Sequence, residues 1–235
     1  MDYGGNSGSD RVALEKMRRP YLEKHQVLNS SKLESQSPFE LWKAWFDQAS
    51  QVISEMGSPN EPNQMALATA TRDGRPSLRY LLLKGHDETG FYFYTNYNSR
   101  KGKELADNPR ATVCMYWPEV HRMVTIEGDV AKVDSQRSDA YFKSRPLDSQ
   151  IGAAISSQSS VIASRQELES ARRSLSERVT AEGAECIDRP EQWGGYRLRP
   201  DRFEFWQGQR DRLHDRLQFR RQADGAGWTY ERLAP

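Results

Sequence analysis

Met65-Ala66-Leu67-Ala68-Thr69-Ala70-Thr71, Arg72-Asp73-Gly74-Arg75-Pro76 and Ser77-Leu78-Arg79-Tyr80-Leu81-Leu82-Leu83-Lys84 form the stretch that decides the fold class. The first segment is apolar and β-compatible, the second carries turn chemistry, and the third returns as another strand. The same pattern recurs on either side. Asp87-Glu88-Thr89-Gly90 turns the chain into Phe91-Tyr92-Phe93-Tyr94-Thr95, and residues 111–117 and 121–133 read as a hairpin joined through Pro118-Glu119. Strands follow at 195–199, 202–207, 213–221 and 228–233, the last after the turn Asp224-Gly225-Ala226-Gly227. Short strands, tight turns and few intervening helices predict a mainly β (α+β) fold built on an antiparallel sheet or barrel.

Helices flank this core. Ser37-Pro38-Phe39-Glu40 is a capping box with proline at the first helical position. It opens a helix whose Phe39, Leu41, Trp42, Trp45, Phe46, Ala49 and Ile53 make an apolar face. A short helix over 99–107 is stopped by Asn108-Pro109, Asp134 caps one running to about Ser144, and Pro146 begins another. Ser164-Arg165-Gln166-Glu167 reads as a second capping box, opening a charged helix to about Thr180. Residues 1–37 are polar and lack periodicity, so the expected organisation is a mobile arm over 1–37 and one domain over 38–235.

Bulk properties exclude several classes. The net charge is +1 over 235 residues, which gives no argument for a nucleic-acid partner. No apolar run approaches the roughly 18–20 residues of a membrane helix, and the Gly/Ser/Asp-rich start has no signal-peptide core, so a cytoplasmic location is expected. Cys114 and Cys186 make no disulfide framework, and His25, His86, His121 and His214 show no ligand spacing, so no metal is expected.

Three places carry chemistry. Arg79 lies in an otherwise buried-looking strand, where a guanidinium needs a carboxylate or a ligand anion. Ser99-Arg100-Lys101-Gly102-Lys103 sets cations at a helix start, where the dipole disfavours them and a bound phosphate reverses the penalty. In Arg212-Leu213-His214-Asp215-Arg216, an extended chain would place Arg212, His214 and Arg216 on one face, suited to an anionic aromatic ligand. A solvated basic edge strand is the alternative.

Trp206-Gln207-Gly208, Arg212-Leu213-His214-Asp215-Arg216 and the terminal Arg232-Leu233-Ala234-Pro235 closely resemble the pyridoxine/pyridoxamine 5'-phosphate oxidase family. So do Arg79-Tyr80-Leu81-Leu82-Leu83-Lys84-Gly85, Thr95-Asn96 with Ser99-Arg100-Lys101-Gly102, and Tyr141-Phe142-Lys143-Ser144-Arg145-Pro146. Ser149-Gln150-Ile151-Gly152, Gln158-Ser159-Ser160 and Trp193-Gly194-Gly195-Tyr196 complete the set, in family order from about residue 39 to the last.

The resemblance implies an FMN-binding split β-barrel with flanking helices, working as a homodimer with FMN at the subunit interface. It implies an FMN site of Arg79, Tyr80, Leu81, Leu82, Tyr94, Thr95, Arg100, Lys101, Gln158, Ser159, Trp206 and Arg216. Met123 stands in that site where the family usually has glutamine, and a thioether donates no hydrogen bond to a flavin edge. Substrate residues by the same resemblance are Lys84, Tyr141, Arg145, Ser149, Arg212, Leu213 and His214, with Arg18 and Tyr21 from an arm folding over the substrate. Lys84, Tyr141, Arg145 and Ser149 would form a phosphate cup, with Tyr141 and Arg145 at i,i+4 on one helix face. Arg212 and His214 would be the catalytic pair beside C4'.

The implied reaction is O2-dependent oxidation of pyridoxine 5'-phosphate and pyridoxamine 5'-phosphate to pyridoxal 5'-phosphate with release of H2O2. Three other readings stay open: a different FMN split-barrel oxidoreductase, a non-catalytic vitamer-binding protein, and an arginine-faced nucleic-acid module. The near-zero net charge argues against the last.

Overall fold

A computed structural model of the protein describes residues 37–223, 225 and 227–235. The expected arm, with Arg18 and Tyr21, lies outside the described residues apart from Ser37. The chain begins with α1 (Pro38–Glu55), then β1 (Gln64–Ala70), β2 (Pro76–Leu82), β3 (Gly85–Asp87), β4 (Gly90–Asn96), α2 (Arg100–Asp107), β5 (Arg110–Trp117) and β6 (Arg122–Lys132). It continues through α3 (Ser135–Ser144), α4 (Leu147–Ile155), α5 (Arg165–Glu182), β7 (Trp193–Gln207), β8 (Asp215–Arg221) and β9 (Trp228–Leu233).

All strand pairings are antiparallel, in the order β2-β1-β5-β6-β7-β4-β3. The organising strand is β7. Its first half pairs with β4, its second half with β8, and β6 runs along its other side. Period-two alternation sends Met65, Leu67, Val113, Met115, Val124, Ile126, Phe203, Phe205, Leu217 and Phe219 to one face, all buried. α1 covers that face. Its capping box forms as the sequence predicts: Ser37 Oγ accepts from Phe39 N at 3.3 Å, and Glu40 accepts from Ser37 N at 3.2 Å. Trp42 is fully buried and meets Phe91 edge-on at 4.9 Å, while Phe39 stacks on Phe91 at 5.6 Å. Each such side chain contributes roughly 1.5–3 kcal/mol on burial. A smaller cluster of Phe142, Ile151, Ile187 and Trp193 joins α3, α4 and the start of β7.

The structure corrects the sequence reading in four places. The separate strands expected at 195–199 and 202–207 are one strand, because Asp201 bulges out after Pro200 while pairing with β6 continues. Arg110 holds that bulge through Asp201 and Asp129. Gly128 opposite is obligatory, since a Cβ there would lie 2.0 Å from Arg199 O. At α5 the second capping box does not form: Ser164 makes no side-chain cap, and Glu167 instead accepts from Ala163 N at 3.3 Å.

The strand expected over 213–221 starts at Asp215, so Arg212 and His214 sit in the preceding turn. Arg212 has a left-handed φ of 69°, which ends the two-residue alternation invoked for Arg212, His214 and Arg216. Lastly, α3 stops at Ser144 and Arg145 is extended with ψ 153°, so Tyr141 and Arg145 do not share a helix face.

Candidate active site

The first group of site residues surrounds the start of α2. Ser99 caps the helix, its Oγ accepting from Gly102 N at 3.3 Å and donating to Asn96 O at 2.6 Å. A Cβ at Gly102 would meet Tyr97 O at 2.1 Å, so only glycine allows this close turn. Lys101 is buried, 6% exposed, and its Nζ donates to Gln158 Oε1 (2.8 Å), Ser99 Oγ (3.1 Å) and Thr95 Oγ1 (3.2 Å). All three of these partners are neutral. Burial, then the charge of Arg79, brings the ammonium down to about 8.

Arg79 finds the carboxylate its position demanded. Its Nη2 lies 3.4 Å from Glu104, and its Nη1 donates to Leu67 O at 3.2 Å and to the Thr69 hydroxyl. Glu104 also accepts from Arg100 Nε at 2.9 Å and from the Ser77 and Thr69 hydroxyls. Burial alone would raise the Glu104 carboxyl, but the hydroxyls of Ser77 and Thr69 together with Arg100 pull it to about 2. Three cations therefore face one buried carboxylate. A cavity of about 780 Å³ opens beside them, lined by Asn96, Arg100, Glu104, Gln158 and Ser159 among others.

The second group lies on α3, α4 and the start of β7. Tyr141 stacks on Tyr94 with ring centroids 3.9 Å apart, and Trp193 continues the stack 5.7 Å from Tyr94. The Arg145 guanidinium lies over Trp193 at 4.6 Å, and its Nη1 is buried with no hydrogen-bond partner among the described residues. Gln150 fixes the backbone there by donating to Arg145 O at 2.9 Å. Ser149 is half-buried in the first turn of α4. Trp193, rather than a shared helix face, thus gathers Tyr141 and Arg145. Lys84 is exposed just beyond β2, its backbone N donating to Tyr92 O at 2.9 Å. The Arg79-to-Leu82 stretch divides between faces: Arg79 and Leu81 lie opposite Leu67 and Met65 of the core face, whereas Tyr80 is 68% exposed on the other side and Leu82 shares its face.

The third group sits at the far end of β7. Met123 pairs across the ladder with Tyr116 and Trp206, and Trp206 with Arg216. Arg216 donates to Glu204 Oε1 at 2.9 Å and to Ala234 O at 2.8 Å. His214 packs its ring 4.9 Å from Trp206 and accepts from Gln209 N at Nδ1, 3.0 Å. Burial, then the Arg212 charge, lowers the His214 imidazole. Leu213 is exposed.

These groups fall at different places along β7. Tyr94 pairs with Gly195 near the start of β7, and Trp206 lies eleven residues further along, roughly 36 Å of strand at ~3.3 Å per residue. The sequence reading missed Glu104, Gln209 and Asp215. Only Glu104 carried a signal, its spacing of four from Arg100.

A curled antiparallel sheet with a cation-rich cleft at one end and an arginine–histidine turn at the other is a split-barrel architecture. The family model for pyridoxamine 5'-phosphate oxidase matches residues 56–177, and that for the C-terminal dimerisation region of pyridoxine 5'-phosphate oxidase matches residues 193–235. The chain is 50% identical over 223 residues to the pyridoxine/pyridoxamine 5'-phosphate oxidase of Pseudomonas paraeruginosa, covering 95% of this chain and 99% of that one. It is 47% identical to a putative pyridoxamine 5'-phosphate oxidase of Caenorhabditis elegans, covering 95% and 98%. Among solved structures, PhzG from Burkholderia lata 383, in complex with tetrahydrophenazine-1-carboxylic acid, superposes with a TM-score of 0.76 at 31% identity, covering 89% of this chain and 98% of that one. An FMN-binding protein from Nostoc punctiforme shares the fold, with a TM-score of 0.63 at 19% identity over 86% of this chain and all of the other. The chain belongs to the pyridoxamine 5'-phosphate oxidase family. No helix among the described residues is long and apolar enough to cross a membrane.

Proposed function

We propose that the protein is an FMN-dependent oxidase that converts pyridoxine 5'-phosphate and pyridoxamine 5'-phosphate to pyridoxal 5'-phosphate, working as a homodimer in the cytoplasm. The observation that carries this reading is the Arg145 nitrogen over Trp193, unpartnered among the described residues, beside the Tyr94–Tyr141 stack. A buried guanidinium nitrogen without an acceptor calls for an anion, and the neighbouring aromatic faces suit a flat ring.

The residues present fit FMN. Lys101, held only by neutral oxygens in the contacts above, and Arg79 and Arg100, sharing Glu104, leave positive charge for a phosphate at the start of α2. Gln158, Ser159 and Thr95 add polar groups to the same place, while Tyr80, Leu81, Leu82 and Tyr94 offer the ring contacts. Met123, Trp206 and Arg216 would come from a second copy, consistent with the dimerisation region matched at 193–235. The flavin would supply the hydride acceptor at N5 for substrate C4', with O2 restoring the oxidised form and leaving as H2O2.

The chain's own groups then position and exclude. Lys84, Tyr141, Arg145 and Ser149 hold the substrate phosphate. Arg212 orients the ring over the flavin, and His214, with Leu213 beside it, hydrogen-bonds near the reacting substituent. Arg18 and Tyr21 would close over the bound ligand.

An absorbance spectrum taken before and after anaerobic addition of pyridoxine 5'-phosphate tests this. The flavin band should bleach and return on admitting air. PhzG, holding a carboxylic acid rather than a phosphate ester, motivates a second reading, a flavoprotein acting on a non-phosphorylated ring. Equal bleaching by unphosphorylated pyridoxine would favour that second reading, and protein that takes up no FMN would leave neither oxidase standing.

A further inference from the structure

Beyond accepting from Arg216 at Ala234 O, the C-terminal Arg232-Leu233-Ala234-Pro235 is tied into the turn that carries His214. Arg232, on β9, is ion-paired with Oδ1 of Asp215, whose side chain is 5% exposed. The other oxygen of Asp215 accepts from Gln209 Nε2 at 2.8 Å, and Gln209 is itself buried. The main-chain N–H of Gln209 then donates to Nδ1 of His214 at 3.0 Å. Arg212 N closes the same turn on Gln209 O at 3.1 Å, and Leu213 N on Asp211 Oδ1 at 3.0 Å.

A backbone N–H can only donate. Nδ1 of a neutral imidazole beside it must therefore accept, and the ring proton resides on Nε2. Burial and the nearby Arg212 charge favour that neutral ring.

We propose that Gln209, Asp215 and Arg232 are positioning residues that lock His214 in the Nε2–H tautomer, engaging Nδ1 so that it does not take up a proton during turnover. The inference rests on the reading of His214 as a group beside the reacting substituent. It connects the last strand to the site through three links. Arg232 fixes Asp215, Asp215 fixes the Gln209 side chain, and Gln209 presents its N–H to the ring.

Nitrogen NMR of the flavin-loaded protein, labelled with 15N-histidine at about pH 8 where free histidine is neutral, reads the tautomer directly. Subtracting the spectrum of His214→Gln isolates the His214 resonances. Wild type should give a pyridine-like Nδ1 and a pyrrole-like Nε2. In Gln209→Leu and in Arg232→Met both resonances should move towards the average of exchanging tautomers. Turnover should fall about tenfold, as for lost outer-shell partners generally, with KM and flavin content within about twofold. Arg232→Lys, which keeps the charge on Asp215, should restore most of the wild-type pattern.

Arg232→Met changes a half-exposed side chain near the chain end, so it keeps the test decisive if Gln209→Leu fails to fold. A pyrrole-like Nδ1 in wild type, or His214 resonances unmoved in the folded variants, would overturn the proposal. The spectrum needs no substrate, so a protein with a fixed tautomer but no oxidase activity would refute the functional reading and leave the tautomer assignment intact.

Discussion

The two ends of β7 hold their functional groups in opposite ways. At the α2 end, Lys101, Arg79, Arg100 and Glu104 form a network anchored on strand and helix, with Glu104 and Lys101 buried. At the other end, Arg212 and His214 stand on a turn with a left-handed residue, and Leu213 is exposed between them. The first end is a preformed cradle in which burial lowers the lysine, while the Ser77 and Thr69 hydroxyls and Arg100 lower the carboxylate. The second is braced from behind, by Asp215 and Arg232, with Arg212 and His214 on a loop.

The largest expected effect breaks the cradle. Glu104→Ala removes the carboxylate that holds Arg79 and Arg100 and accepts from Ser77 and Thr69. Leaving a part-buried guanidinium unpaired costs about 3–5 kcal/mol, so chemical denaturation should show a loss of that size. An unchanged midpoint would mean the network is ornamental to folding. The acid limb follows from the same group. With its folded value near 2, Glu104 contributes stability that is complete above the ordinary carboxylate range and is lost as pH falls towards 2. Glu104→Gln should flatten that limb.

Next in size, Arg212→Met addresses the opposite end. Turnover should fall by about 100-fold, the scale of a misplaced reactant, while flavin content and thermal stability stay as in wild type. Steady-state kinetics beside an absorbance ratio checks both halves of this expectation. A drop in stability comparable to that of Glu104→Ala would erase the contrast between the two ends.

Lys101 gives a smaller effect whose sign differs between stability and binding. Its ammonium titrates near 8 in the folded protein, below the ordinary lysine value, so the unfolded chain binds more protons between these limits. Stability of the flavin-free protein should therefore rise as pH increases from about 8 towards 10.5. A phosphate favours the charged lysine, so FMN affinity should fall over the same rise. Lys101→Met should weaken FMN about tenfold without lowering the flavin-free melting temperature. Fluorescence titration of FMN across pH separates the two trends, and affinity flat through pH 8 would remove Lys101 from the phosphate site.

Much of this was legible in the sequence, for reasons that are local. The capping box at Ser37, the hairpin through Asp73-Gly74 and the cationic start of α2 each depend on residues within a few positions, and each forms. The demand of Arg79 for a carboxylate was readable as well. Its partner Glu104 was not, because the pairing crosses from β2 to α2. The second capping box failed because Glu167 accepts from Ala163 N instead, leaving Ser164 without its reciprocal partner in an exposed helix. The row Arg212, His214, Arg216 failed because a single left-handed residue resets the alternation, and no neighbour of Arg212 in sequence announces it. Tertiary tethers such as Arg232 to Asp215 leave no periodic trace at all.

Met123 sharpens the comparison most finely, since it stands on β6 between Tyr116 and Trp206, at the His214 end and among the residues expected to touch the flavin. Its half-buried thioether offers packing and no N–H. Met123→Gln would supply a donor to a flavin edge with nearly the same side-chain length. A single hydrogen bond of this kind contributes about 1 kcal/mol, so FMN should bind a few-fold more tightly, or the flavin midpoint potential should shift, with stability unchanged. Both are read on the same sample, by fluorescence titration and by dye-coupled reduction. If affinity and potential both match wild type, the flavin edge does not reach β6, and the assignment of this end to a second copy's flavin loses one of its three residues. If they move while Arg212→Met leaves them still, the two ends of β7 meet at one ligand from different subunits, with β6 and β7 facing the ring and the following turn facing what the ring oxidises.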